Sequence, residues 1–361
     1  MQRRHFAMSI LAGGSLLTAG CGGGGGDPAS VAPAPAPAPG GDFQAAAFVY
    51  VANPDSASVA VYGFGADGAW KALSTAQAEA FLNFFAVHPS GQFAYATNTA
   101  ADSISLFERD PAAGSLRRIE SLPTRVRPRR MRFHPSGESA FVFSGGIASY
   151  SIKDGVLQEE GFVAMDGTVM DVHPSGEFLF VGGNGLNQHL SFRIDGTSLV
   201  EVNAVTGIGL PAEFAVAPSG TFLYTGGRSD GRVVVHAIGT DGSIGAATSV
   251  AVDGYLQQVL IHPSGQFAYA STGDDELGRI AILDLDFETG TPTRRGFEEL
   301  GSENSPLLAM SPSGRLLFAA DFNKKTLFAF GIDKTGALTR FEQSLDLGAV
   351  PSDICVVEAG K

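Results

Sequence analysis

Four histidines, His88, His134, His173 and His262, each stand directly before a Pro-Ser-Gly triplet. Four converging imidazoles would suit a transition metal. Their spacing argues otherwise. The triplets begin at Pro89, Pro135, Pro174, Pro218, Pro263 and Pro312, at intervals of 46, 39, 44, 45 and 49 residues, and Ala217 and Ser311 fill the histidine position in two of them. Equivalent positions of a repeat are spread along the structure, so each imidazole is expected to satisfy backbone groups of its own turn, and no metal or other cofactor is expected. A second cluster is the run Arg125 to Arg132, with five arginines in a chain of net charge −13. Strand alternation would put Arg125, Arg127 and Arg129 on one face, a surface suited to an acidic partner or a carboxylated ligand. Asp284, Asp286 and Glu288 alternate likewise, and Asp274-Asp275-Glu276 lies in a loop. Both groups offer oxygen ligands for calcium, but without the glycine-punctuated spacing of a calcium loop they read as solvated acidic surface. Neither a Gly-x-Ser-x-Gly elbow nor a Ser-His-Asp set is present. Cys355 sits in the apolar run Ile354-Cys355-Val356-Val357 and reads as a small buried hydrophobe.

The elements that must position these residues come from the repeat. Each triplet follows an apolar run such as Phe84-Phe85-Ala86-Val87 and precedes an alternating strand such as Gln92-Phe93-Ala94-Tyr95-Ala96-Thr97. A further strand follows, Ser103 to Phe107 in that copy, then a turn rich in Asp and Gly and a more polar fourth strand. Proline presets one turn residue and glycine permits positive φ, so each triplet joins two antiparallel strands. Four strands in about 45 residues is the unit of a β-propeller blade. Seven blades are expected. The first copy, Phe48 to Asn53, has no triplet strand before it, whereas the chain ends on an orphan strand, Ile354 to Val357. Pairing these two would close the ring and remove its exposed edges. The expected fold is therefore all-β, a seven-bladed propeller over residues 46–358.

Residues 1–21 read as an address. Arg3 and Arg4 give a positive start and Phe6 to Leu17 is apolar but too short to span a bilayer. Leu17-Thr18-Ala19-Gly20-Cys21 is similar to a bacterial lipobox, implying cleavage before Cys21 and lipidation of its thiol. Arg3-Arg4-His5-Phe6 resembles a twin-arginine signal. Residues 22–45, with glycines 22–26 and an alternating Ala-Pro run at 32–39, read as a flexible and then semi-rigid tether. The protein is thus expected to be exported to the bacterial cell envelope as a lipid-anchored monomer. It would be periplasm-facing or surface-exposed, and Gly22 after the cysteine favours the outer membrane. An acidic surface repels phosphate backbones, which argues against nucleic acid as a partner and leaves the lipid anchor as the membrane contact.

Tyr95-Ala96-Thr97-Asn98, Ser103-Ile104-Ser105-Leu106 and the fragments FHPSG, VHPSG and IHPSG resemble the lactonase-type seven-bladed propellers, a group that includes 6-phosphogluconolactonases and YVTN-repeat surface proteins. The absence of Trp-Asp dipeptides separates the chain from WD40 repeats. The resemblance implies a site at the channel mouth, built from an Arg and a His six and five residues before a turn proline and a Glu ten residues after it. The cation would hold a carboxylate or oxyanion and the base would activate water. Here Arg129 matches the arginine, Arg130 stands at the histidine position and Gly145 at the glutamate position. The same two positions elsewhere hold Asn83, Glu213, Gln257 and Gln258, so these residues with Arg129 and Arg130 are the candidate ligand-binding set at the mouth, Glu213 being the internal partner available to the arginines. The expected function is an envelope lipoprotein that binds a protein partner or a small anionic ligand. The alternatives are a lactone hydrolase with rearranged residues and a purely structural display module.

Overall fold

The computed structural model describes residues 43–360, apart from 184–187, 207–210, 228–230, 274–276 and 302–303. The export signal, Cys21, the Ala-Pro run and Asp274-Asp275-Glu276 lie outside the described residues. Among the described residues every regular element is a strand, and the strands form seven antiparallel blades in a ring. Blade two is typical, with strands Leu82–Val87, Phe93–Asn98, Ser103–Arg109 and Leu116–Pro123 in that order from the channel outward. Burial follows the position in the blade. Phe93–Asn98 and residues 103–107 are covered by neighbouring blades, which is why they are mostly apolar or small, whereas Glu108 is exposed, Arg109 is a buried charge and Leu116–Pro123 is mostly exposed.

Each Pro-Ser-Gly turn works as its residues require. Gly91 holds φ +71° and its N–H donates to the carbonyl of His88 at 2.8 Å. The histidine then ties two blades together. His88 Nδ1 accepts the Ser90 N–H at 3.1 Å, which leaves Nε2–H to donate 2.7 Å to the carbonyl of Gly137 in the next blade's turn. His134, His173 and His262 repeat the arrangement on Gly176, Gly220 and Gly314 at 3.1, 2.9 and 3.1 Å. The imidazoles therefore serve their turns, as expected, and also staple neighbouring blades. A second set of staples runs from Tyr50, Tyr95, Tyr224 and Tyr269 hydroxyls to the carbonyls of Gly114, Gly155, Gly290 and Gly336.

The junction between blades five and six lacks the imidazole, because Ala217 stands there, and a Cβ built on Gly265 opposite meets nothing within 4 Å. Ala217→His should fill this gap, Ser219 being in place to hold its Nδ1. The expected gain is about 1 kcal/mol, a rise of roughly 2 °C in Tm for a domain of this size, measurable by calorimetry. An unchanged or lowered Tm would mean that the bridge adds nothing to stability.

The ring closes as the orphan strand suggests. Asp353–Glu358 is the innermost strand of blade one and pairs antiparallel with Ala45–Asn53, Val357 opposite Phe48, Cys355 opposite Tyr50 and Ile354 opposite Val51. The compact unit begins at Phe43. The Phe43 ring takes the space above Gly63 that a side chain would fill.

Candidate functional site

The innermost strands of the seven blades surround a cavity of about 420 Å³, within the range of small-ligand sites. Strand alternation decides which residues reach it. Residues five before the turn proline supply Phe84, Arg130, Glu213 and Gln258, and those three before it supply Arg132, Asp171 and small or aliphatic side chains. In blade one the register of Cys355 against Tyr50 equals that of Ala86 against Tyr95, so Asp353 and Cys355 take the two corresponding places.

Charge is concentrated on one group. Arg130 Nη2 donates to Glu213 Oε2 at 2.7 Å and Nη1 to Oε1 at 3.1 Å. Arg132 Nη2 donates to Oε1 of the same carboxylate at 2.8 Å, and its Nε lies 3.3 Å from Asp171 Oδ1. Both guanidinium groups also sit over the Phe84 ring, at 5.7 and 5.5 Å from its centroid. The carboxylates bridge neighbouring innermost strands. Asp171 Oδ2 accepts the Val216 N–H at 2.9 Å, Asp353 Oδ2 accepts the Phe85 N–H at 3.0 Å, and Gln258 Oε1 accepts the Leu308 N–H at 2.9 Å.

This environment shifts the acids. Burial pushes Asp353 up to about 6, although the Phe85 N–H and the nearby Arg130 both pull it down. Asp171 also rises through burial, restrained by Arg132 and by the Val216 N–H. Burial alone would depress Arg132, but Glu213 and Asp171 more than reverse it. Cys355 is half-buried against the channel rather than enclosed in a core, and burial lifts its thiol to about 12, so it is no thiolate nucleophile near neutrality.

The expected set divides. Arg130, Glu213 and Gln258 line the cavity together. Arg129, Asn83 and Gln257 do not. Arg129 stands before the strand Met131–Phe133 and lies in a separate pocket of about 250 Å³ with Arg127, Asp166 and Gly145. Asn83 and Gln257 are the extra residues of bulges between Leu82 and Phe84 and between Leu256 and Gln258, which re-aim them. Two arginines do meet at the mouth, but they are Arg130 and Arg132, with Glu213 already between them. Asp284 is engaged with Arg295, and Asp286 Oδ1 accepts the N–H groups of Glu288 and Thr289 in its own turn, so neither carboxylate is set aside for a cation. Asp353, Asp171 and Arg132 are the functional candidates that counting from the motif missed.

Glu213 is 4% exposed and holds two cations. Glu213→Gln should cost about 3 kcal/mol, because the two guanidinium groups lose the charge they share and only Arg132 keeps a carboxylate partner, Asp171. Sulfate should recover part of that loss in the variant and little in the wild type, as measured by urea unfolding with and without the anion. Equal stability of the two proteins would show that the cluster contributes nothing.

The family model described as "Lactonase, 7-bladed beta-propeller" matches residues 43–154 and 246–357. A 6-phosphogluconolactonase from Erwinia tasmaniensis is 25% identical over 144 residues, which span 39% of this chain and 42% of that protein, so the match covers less than half of the relative's length. Among solved structures, a candidate 6-phosphogluconolactonase from Bacteroides uniformis is similar with TM-score 0.77 and 19% identity, over 87% of this chain and 100% of its own. The periplasmic gluconolactonase of Pseudomonas aeruginosa is similar with TM-score 0.75 and 19% identity, over 87% and 99%.

Proposed function

The chain belongs to the lactonase family of seven-bladed β-propellers, and on that premise we propose that it is an exported lactone hydrolase whose reaction centre is the mouth of its channel. One observation carries the reading. A carboxylic acid poised at about 6, Asp353, faces the same cavity as the Arg130–Glu213–Arg132 cluster. A base in that range is ionised near neutrality yet basic enough to take a proton from water. Arg130 and Arg132 are already neutralised by Glu213 and Asp171, which favours a neutral carbonyl compound over an anion. A guanidinium has five N–H donors, and Glu213 engages two of Arg130's.

In the reaction, Asp353 removes a proton from water while the water oxygen bonds to the lactone carbonyl carbon. The carbonyl oxygen becomes an oxyanion facing Arg130. On collapse the ring C–O bond breaks, and the proton held by Asp353 passes to the departing alkoxide, giving a hydroxy acid. Proton transfer thus falls to Asp353 in a chain with Arg130 and Gly145 where the family pattern has His and Glu. The test is a screen of purified protein against five- and six-membered lactones, followed by pH-stat. Turnover of at least one, rising with pH through about 6, supports the reading, and inertness toward all of them overturns it.

A second reading, binding of an anion without turnover, is favoured by Arg129, whose guanidinium makes no ion pair with any described residue. Arg129→Ala would then abolish binding of a sugar acid such as gluconate, measured by calorimetry. The export signal and Cys21 support delivery to the envelope with a lipid anchor, outer-membrane by the Gly22 criterion. Cys21→Ser should move the protein from the membrane fraction to the soluble one without loss of fold.

A further inference from the structure

The junction between blades seven and one departs from the repeat at three positions. Ser311 stands where His88, His134, His173 and His262 reach the next blade, and Phe318 stands where Tyr95, Tyr224 and Tyr269 supply a hydroxyl. The third departure is Leu316, four residues after its turn proline. At that position Phe93, Phe178, Phe222 and Phe267 each cover a left-handed glycine of the following blade, respectively Gly155, Gly242, Gly290 and Gly336. Phe48 covers Gly114 in the same way. The matching glycine of blade one is Gly68, at φ +83°, and the ring against it is Phe341, which follows the strand Leu338–Arg340. With leucine in the phenylalanine position, a cavity of about 530 Å³ opens beside Leu316.

Phe64, Phe341, Leu316 and Ala46 give this cavity its apolar wall, and Arg315 and Glu358 are its charged residues. Its volume suits a small ligand. Water is poorly held in a space with few polar partners, so an apolar body gains by displacing it. The two charges are not equivalent. Glu358 Oε1 already accepts the Ser313 N–H at 3.1 Å. The Arg315 guanidinium is exposed and makes no hydrogen bond or ion pair with any described residue. The group left to hold a ligand is therefore a cation, and a guanidinium matches a carboxylate through two parallel N–H bonds.

We propose that this pocket binds a hydrophobic monocarboxylate, its aryl or alkyl body against Phe64, Leu316 and Phe341 and its carboxylate on Arg315. The ligand would bridge blades one and seven where the histidine and tyrosine staples are missing. The pocket shares no lining residue with the channel cavity, and the proposal stands apart from the lactone reading.

The test titrates the full-length protein with 4-phenylbutyrate, 4-phenylbutylamine and acetate by calorimetry. Trp70, the single tryptophan, reports on the site because its ring lies 4.7 Å from that of Phe64. Phenylbutyrate should bind with Kd of about 1 mM or below and shift Trp70 emission with the same midpoint. Acetate, which lacks the apolar body, should bind at least about tenfold more weakly, and the amine should not saturate. At ten times its Kd, phenylbutyrate should raise Tm by roughly 3 °C. Arg315→Gln should weaken phenylbutyrate about tenfold and leave the Tm of the free protein unchanged, since the side chain is exposed. Absence of phenylbutyrate binding overturns the proposal. So does an amine that binds as tightly, an affinity that Arg315→Gln leaves within twofold, or binding that leaves Trp70 emission unmoved. Lactone turnover, present or absent, bears on none of these outcomes.

Discussion

Asp353→Asn is expected to lower kcat/KM for lactone hydrolysis by about 10²- to 10⁴-fold, the contribution of a positioned general base. The fold should survive the change. An asparagine oxygen can still accept the Phe85 N–H that Asp353 Oδ2 accepts at 3.0 Å, and a buried charge is removed. The sign of the pH effect follows from the same group. Its folded pKa, about 6, lies above the ordinary aspartate value, so protonation of Asp353 favours the folded state. Stability from this site is complete below pH 4 and is lost as pH rises through 6. Activity runs the other way, rising over the interval in which stability falls, because only the ionised form can accept a proton. The Asn variant should show neither limb. A variant that keeps its rate within threefold, or an unchanged acid limb in its profile, would remove Asp353 from the chemistry.

Reading the repeat located six of the seven innermost strands, because each ends on a Pro-Ser-Gly turn that can be counted from. Arg130, Glu213 and Gln258 were accessible in this way. Arg129, Asn83 and Gln257 were misplaced for two physical reasons. Arg129 stands outside the strand Met131–Phe133, where strand alternation does not fix its direction, and a bulge inserts a residue without changing the spacing to the turn. Arg132 and Asp171 were within reach of the same alternation, carried one step toward the turn. Asp353 had no such anchor, since blade one takes its innermost strand from the other end of the chain and has no triplet. Only the register Cys355–Tyr50 against Ala86–Tyr95 aligns it. Nothing in the spacing marks His189 and His236 either. Their rings meet in the interior, His189 Nδ1 3.2 Å from His236 Nε2, and burial depresses His189 to about 3, so they are neutral packing groups behind Phe214. A three-dimensional meeting of residues 47 apart in different strands is invisible to a periodic reading.

Removing residues 350–361 should abolish the cooperative fold. The deletion takes the innermost strand from blade one, and with it the buried side chains Ile354, Val356 and Val357. At about 2 kcal/mol for each buried aliphatic side chain, these alone approach the total stability of a typical domain, about 5–15 kcal/mol. The strand Ala45–Asn53 would also lose its partner and become a free edge whose Phe48, Val49, Tyr50 and Val51 are now wholly buried, a template for aggregation. On the other side, the Phe85 N–H would lose Asp353 and blade seven would lose the Glu358 carboxylate that accepts the Ser313 N–H at 3.1 Å. Both junctions of the ring therefore open at once. Circular dichroism and limited proteolysis should show no cooperative melt and rapid digestion, while a peptide of residues 350–361 added in trans should restore protection in a concentration-dependent way. A truncated domain that melts within a few degrees of the intact one would show that the other six blades carry the ring without its closing strand.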